Sequence, residues 1–198
     1  MVYIHGGGNL AGTGSMPQYN GTHYAQAGLV LVTINYRLGP FGQLAWSEFA
    51  TEDPTFPSTG GMNFLTDQIM ALRFIKNEIS SFGGDPNHVT VFGESAGSVS
   101  VCCLLSSALS RGLYHAAVMQ SGPCTGPWGP GSNLTGLASS SALLTSLWAS
   151  SPGHLRNMSA RDILDNEWSN SVYPSIDGVM LTKPPSGNLN PNRTVAHC

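Results

Sequence analysis

The stretch VFGESAGSVSV, Val91 to Val101, limits the possible fold more than any other part of the chain. An apolar, β-prone run, Val89–Phe92, meets a pair of glycines, Gly93 and Gly97, that bracket Glu94-Ser95-Ala96. Small residues of helical habit follow to about Ser107. A strand must therefore turn sharply into a helix within five residues. Glycine at both ends of such a turn lets backbone crowd the central residue from either side, and Ser95 is left projecting its hydroxyl. The pattern G-x-S-x-G is weak on its own. With 24 glycines in 198 residues, and serine about as common, roughly 0.3 matches arise by accident. Its meaning depends on what surrounds it.

Val2–Ile4 is a short apolar segment that runs into His5-Gly6-Gly7-Gly8. Gly28–Tyr36 is β-branched and almost continuously apolar, as expected of a parallel strand covered on both faces. Within residues 64–82, Leu65, Ile69, Leu72, Ile75 and Ile79 recur at helical spacing, and Gly83-Gly84-Asp85-Pro86 stops that helix. His115–Ser121 predicts one more short buried strand. Strands alternating with helices of this length indicate an α/β sheet, mostly parallel, with helices on its faces. After Gly122 the character changes. A loop rich in glycine and proline precedes a predicted helix over Leu137–Ala149. Another helix starts at Ser159, with capping-box-like spacing to Asp162. The tail beyond Leu181 has little periodicity and is expected to be irregular. Residues 1–198 thus read as part of one catalytic-type domain, a core over 1–122 and a loop- and helix-rich cap-side region over 123–198.

Composition excludes several classes. Eight basic residues face eleven acidic ones, for a net charge of −3, which argues against nucleic acid or an anionic membrane as partner. The longest apolar run, Ala27–Ile34, is far too short to span a bilayer. Four cysteines, with Cys102 and Cys103 adjacent, resemble neither a small disulfide framework nor a C-x-x-C site. No cluster has metal-ligand spacing, so no metal or cofactor is implied. Sequons stand at Asn20, Asn133, Asn157 and Asn192, where about two or three would arise by chance, and this slight excess points to a secretory route and a glycoprotein. The opening MVYIHGGG has none of the parts of a signal peptide. It reads as the end of a buried strand, so the sheet is expected to be cut short at both ends.

The glycines after Val2–Ile4 supply what a projecting serine needs. Amides without side chains can face a substrate carbonyl, and the start of the helix behind Ser95 adds partial positive charge. With both motifs in place the chain resembles the type-B carboxylesterases, which include the cholinesterases. The resemblance is carried by VYIHGGG (residues 2–8), INYRLGPFG (34–42) and GGMNFLTDQIMALRFIKNEISSFGGDPNHVTVFGESAG (60–97). It continues through SRGLYHAAVMQSG (110–122), Pro127-Trp128, LRNMSARDIL (155–164) and SIDG (175–178). Glu94 before the serine, together with FGGDP, separates it from the hormone-sensitive-lipase-like group.

The resemblance implies a partial α/β-hydrolase fold and a small carboxylic ester as substrate. Ser95 would be the nucleophile. The N–H groups of Gly7, Gly8 and Ala96 would form the oxyanion hole. Trp128 would line the acyl pocket, against the plainer reading of a packing tryptophan. Glu94 would tune the pocket, or serve as an ion-paired structural carboxylate. Arg37 and Asp67 resemble a structural salt bridge. Some residues depart from the family pattern. Asn9 and Gln43 replace aromatic residues, which makes the site rim more polar, and His154 replaces a disulfide cysteine. Cys124 is left able to stand as a free thiol, and Cys198 has no partner.

The family order is nucleophile, acid, histidine, and the last two are expected beyond SIDG. His5, His23, His88, His115, His154 and His197 all read better as structural or exposed residues than as the base. The chain would then hold the nucleophile and oxyanion hole of a serine ester hydrolase without the rest of the triad. The competing readings are a non-catalytic cholinesterase-like adhesion or binding protein and an inactive truncated gene product. Oligomeric state is not readable from the sequence.

Overall fold

Val2–Ile4 forms β1, the strand on which the sheet is assembled. In the computed structural model, which describes residues 1–126, 129–166, 174–185 and 194–197, it is followed by α1 (Thr22–Gln26), β2 (Val32–Thr33), α2 (Gly39–Gln43) and α3 (Asn63–Glu78). Then come β3 (Thr90–Glu94), α4 (Ala96–Ser106) and β4 (Ala116–Gln120), β5 (Gly131–Ser132), α5 (Asn133–Ser146), α6 (Pro152–Arg156) and α7 (Ala160–Leu164). Two short strands close the order, β6 (Ser175–Ile176) and β7 (Thr194–His197). The main sheet runs β2-β1-β3-β4-β7 with every pair parallel, and β5 pairs with β6 in a separate parallel ribbon.

Strand alternation sorts the side chains by face. Val2, Ile4, Val91, Ala117 and Met119 are buried in one cluster with Leu65, Ile69, Leu72 and Ile75 of α3 and with residues 101–105 of α4. Every residue of α4 from Gly97 to Leu105 is buried. Such a helix is covered all round and holds the middle of the layer. Tyr3 and Phe92, one step out of phase, carry the opposite face; their rings lie 5.0 Å apart, with Tyr19 4.5 Å from Tyr3. α3 ends as the sequence predicts. A 3₁₀ turn over Ile79–Phe82 leads to Gly83 at φ +80°, whose N–H caps the turn.

Four expectations need correction. The run 28–36 yields only Val32–Thr33 as ladder, because three-residue β1 offers it just two partners, Val2 and Tyr3. The helix placed at Leu137–Ala149 is α5, four residues earlier at its start and three at its end. The tail is not wholly irregular: Thr194–His197 lies in parallel along β4, in register from Ala116 to Met119. Cys124 is no free thiol; it is bonded to Cys102, and Cys103 is the free, buried cysteine. The predicted N-cap holds, with Ser159 Oγ accepting from Asp162 N at 3.0 Å. α6 went unanticipated, although Ser151 Oγ caps it at His154 N and Pro152 opens it.

Candidate active site

β1 and β3 lie side by side and parallel, with Ile4 opposite Gly93. Both chains therefore leave the sheet at the same edge, one into the glycine loop and the other into the Ser95 turn. Ser95 has φ +56° and ψ −122°. That region is left almost entirely to glycine, and a serine held there carries roughly 1–3 kcal/mol of backbone strain. Surrounding backbone enforces it. Ser95 N donates to Gln120 O at 2.9 Å, and Ser95 O accepts from Val99 N at 3.1 Å. A Cβ on Gly97 would lie 2.1 Å from Ile4 O, and one on Gly93 2.5 Å from Gly97 C. One on Gly122, just past β4, would lie 2.4 Å from Ser95 O. Three glycines thus let three strands close on the turn.

The neighbouring loop touches the serine itself. A Cβ on Gly6 would stand 3.1 Å from Ser95 Cβ and 2.8 Å from Glu94 O. Beyond it, Gly7, Gly8 and Asn9 have φ of +106°, +64° and +58°. Gly7 O accepts from Leu10 N and Ala11 N at 3.1 and 3.2 Å, and a Cβ on Gly7 would meet Ala11 O at 2.1 Å. Successive left-handed residues of this kind form concave backbone that suits an anion. Gly7 and Gly8 are exposed, while Ser95 and Ala96 are half-buried. All four residues proposed for the chemistry stand at one open edge.

The support beneath is polar and buried. The His5 ring is 1% exposed and stacks on Tyr36 at 4.5 Å; its Nδ1 lies 2.8 Å from Gly6 O. Tyr36 Oη donates to His5 O at 2.6 Å, and burial pushes this phenol well above its ordinary range. Tyr3, below the exposed Glu94, is likewise raised, first by burial, then by a hydrogen bond to Tyr19, with the Glu94 charge adding. Asn9 and Gln43, expected on the rim, are 4% and 0% exposed. Neither lies on the rim: Asn9 O is tied to Gly39 N at 2.7 Å by the start of α2, and Gln43 is the buried last residue of that helix. Arg37 grips Asp67 through Nε at 2.8 Å and Nη2 at 2.7 Å. This fork joins the segment before α2 to α3, the structural role expected of the pair, and raises the guanidinium pKa.

Trp128 and Asn192 lie outside the described residues, as does the side chain of Asn133. Asn20 and Asn157 are exposed. His88, bonded to Asp85 at 2.6 Å, and His115 both precede their strands and sit at the edge opposite Ser95. His154, on α6, has its Nδ1 3.1 Å from Ser150 Oγ, just ahead of that helix. The backbone of His197 is level with Met119, toward the Ser95 edge. Among the described residues no three His, Cys, Asp or Glu side chains could share a metal, and no helix is long and apolar enough to cross a membrane. Reasoning from sequence missed Gly6, Gly122 and Ser98, whose Oγ donates to Gly122 O at 2.8 Å. A glycine ending the strand next to the elbow was the available signal.

A parallel sheet with helices on it, a strained serine at a strand-to-helix turn and a glycine loop against that serine define the α/β-hydrolase class. The carboxylesterase family model matches residues 1–196, and the chain belongs to that family. It is 47% identical over 123 residues to the para-nitrobenzyl esterase of Bacillus subtilis, covering 62% of this chain and 24% of that protein. It is 38% identical over 178 residues to cholinesterase 1 of Branchiostoma lanceolatum, covering 85% and 48%. The structure of a Geobacillus stearothermophilus carboxylesterase superposes with a TM-score of 0.81 at 35% identity, covering 93% of this chain and 40% of that one. A PNB esterase superposes at 0.84 and 33%, covering 99% and 44%. The chain therefore spans less than half the length of these relatives, and carries a partial α/β-hydrolase fold.

Proposed function

We propose that Ser95 is the nucleophile of a serine ester hydrolase. The Gly7, Gly8 and Ala96 amides would receive the oxyanion, and Glu94 would tune the field at the pocket. Ser95 attacks the ester carbonyl as a base takes its proton, the tetrahedral oxygen is held by the three N–H groups, the alcohol leaves, and water releases the acyl group. Trp128 would bound the acyl group. Base and acid are assigned to sequence outside these 198 residues, in keeping with the family order and the short span of the relatives covered. The observation that carries this reading is the contact between the two motifs: Gly6 lies against Ser95, and the serine keeps a conformation that serine avoids.

The experiment is a graft. Residues 1–126 replace the matching segment of the Bacillus subtilis para-nitrobenzyl esterase, which supplies the rest of the fold. The graft should hydrolyse a p-nitrophenyl ester, and Ser95→Ala should lower its rate by about 10⁶-fold. A folded graft no faster than its Ser95→Ala variant overturns the assignment and favours a binding protein. The isolated chain, lacking base and acid, should show equal rates with and without Ser95. Asn20 and Asn157 are proposed as glycan sites on a secreted protein; a secretory host yielding product whose mass is unchanged by glycosidase would remove that part.

A further inference from the structure

Ser95, Ser98 and Cys102 fall at spacings of three and four along the start of α4, which places them on one helix face. The segment leaving β4 follows that face step by step. Ser95 N donates to Gln120 O at 2.9 Å, Ser98 Oγ donates to Gly122 O at 2.8 Å, and Cys102 is bonded to Cys124. Gly122 is pressed against the helix so closely that a Cβ would lie 2.6 Å from Ser98 Cβ, and Ser121 is held at φ +53°. The rest of this segment faces solvent: Ser121, Pro123, Thr125 and Gly126 are all exposed. Exposed loops with so little packing open easily. The bond runs from half-buried Cys124 to Cys102, which is 0% exposed, and so anchors the loop in the core. Cys103, equally buried, has its thiol pushed far up by burial and is no competing nucleophile.

We infer that the Cys102–Cys124 disulfide is a positioning element of the ester site. It holds residues 121–126 in step with the helix that carries Ser95, and thereby keeps the turn of the nucleophile in place for turnover. This rests on the reading of Ser95 as nucleophile. Opening the bond needs a dithiol, which gives two electrons, closes to its own disulfide and leaves Cys102 and Cys124 as thiols.

The test follows hydrogen exchange in the intact chain, in the chain reduced with dithiothreitol, and in a Cys102→Ala/Cys124→Ala variant that keeps small apolar groups in α4. Thiol titration confirms that the bond has opened. Exchange at Ser95 and residues 121–126 should rise about tenfold or more while β1 and α3 stay as they were. In the esterase graft, the same double variant should lower kcat for a p-nitrophenyl ester severalfold, with KM little changed. Ser98→Ala should act in the same direction more weakly. Unchanged exchange at Ser95 and residues 121–126, or a rise spread evenly over the chain with kcat unchanged, overturns the inference. A graft with no Ser95-dependent hydrolysis removes the ester reading and the role in turnover with it, while the exchange result alone still decides whether the bond tethers the loop.

Discussion

The Ser95 edge and the described residues of 131–166 and 174–185 are built by different means. At the Ser95 edge backbone meets backbone. Gly6, Gly93, Gly97 and Gly122 each stand where an added Cβ would lie within 3 Å of a main-chain atom. In the later segment side chains do the joining. Leu143 of α5, Leu147 just past its end, Leu155 of α6 and Ile163 of α7 pack on Leu44, with Phe41, Trp46 and Phe49 around them. Ser140 Oγ accepts from Ala45 N at 2.8 Å, and Asp177 gathers the turn after β6. A site made from main chain has almost no freedom to vary. One joined by side chains can be rebuilt from different residues.

Single substitutions can break this contrast. Gly97→Ala puts a methyl 2.1 Å from Ile4 O, where neither strand nor helix can yield. The expected loss is more than about 4 kcal/mol, read as failure to give a cooperative melt. A well-folded Gly97→Ala chain would mean that the edge is softer than described. The largest effect expected in the other region is smaller. Asp177 Oδ1 accepts from the amides of Val179, Met180 and Leu181 at 3.2, 2.8 and 3.0 Å, and Oδ2 accepts from Ser58 Oγ at 3.0 Å. Asp177→Ala leaves those donors unmet in a buried place and should lower stability by about 2–3 kcal/mol in denaturant titration.

Two further changes sharpen the comparison by raising stability. Ser95→Gly relieves the positive φ and should gain about 1 kcal/mol while abolishing any Ser95 chemistry, the mark of strain retained for function. An unchanged or lower melting temperature would mean that the turn is unstrained. In α6, a Cβ on Gly153 meets nothing closer than Ser151 Oγ at 3.9 Å. Gly153→Ala should therefore add up to about 1 kcal/mol of helix stability. A destabilised variant would show that glycine is needed there too.

The contrast also explains what the sequence disclosed. Glycines required by close backbone contact or by a positive φ leave a pattern, so HGGG, the Ser95 turn and the α3 stop at Gly83 could all be read. The Ser159 cap was readable because its partner, Asp162, lies three residues away. Asn9 and Gln43 were misread because burial depends on which distant segment packs against a residue; for Asn9 that segment is the start of α2. The Cys102–Cys124 bond pairs residues 22 apart across a strand, and no local spacing announces it. β7 has only four residues, and its pairing is set by the free edge of β4 rather than by its own composition.

The most direct test of the central claim is a crystal structure of the esterase graft after reaction with a fluorophosphonate. The phosphoryl oxygen then stands where the tetrahedral oxyanion would be. The account predicts an adduct on Ser95 with that oxygen about 2.7–3.1 Å from the amide nitrogens of Gly7, Gly8 and Ala96. A folded graft that forms no adduct at Ser95, or one whose phosphoryl oxygen lies out of reach of Gly7 and Gly8, would contradict it.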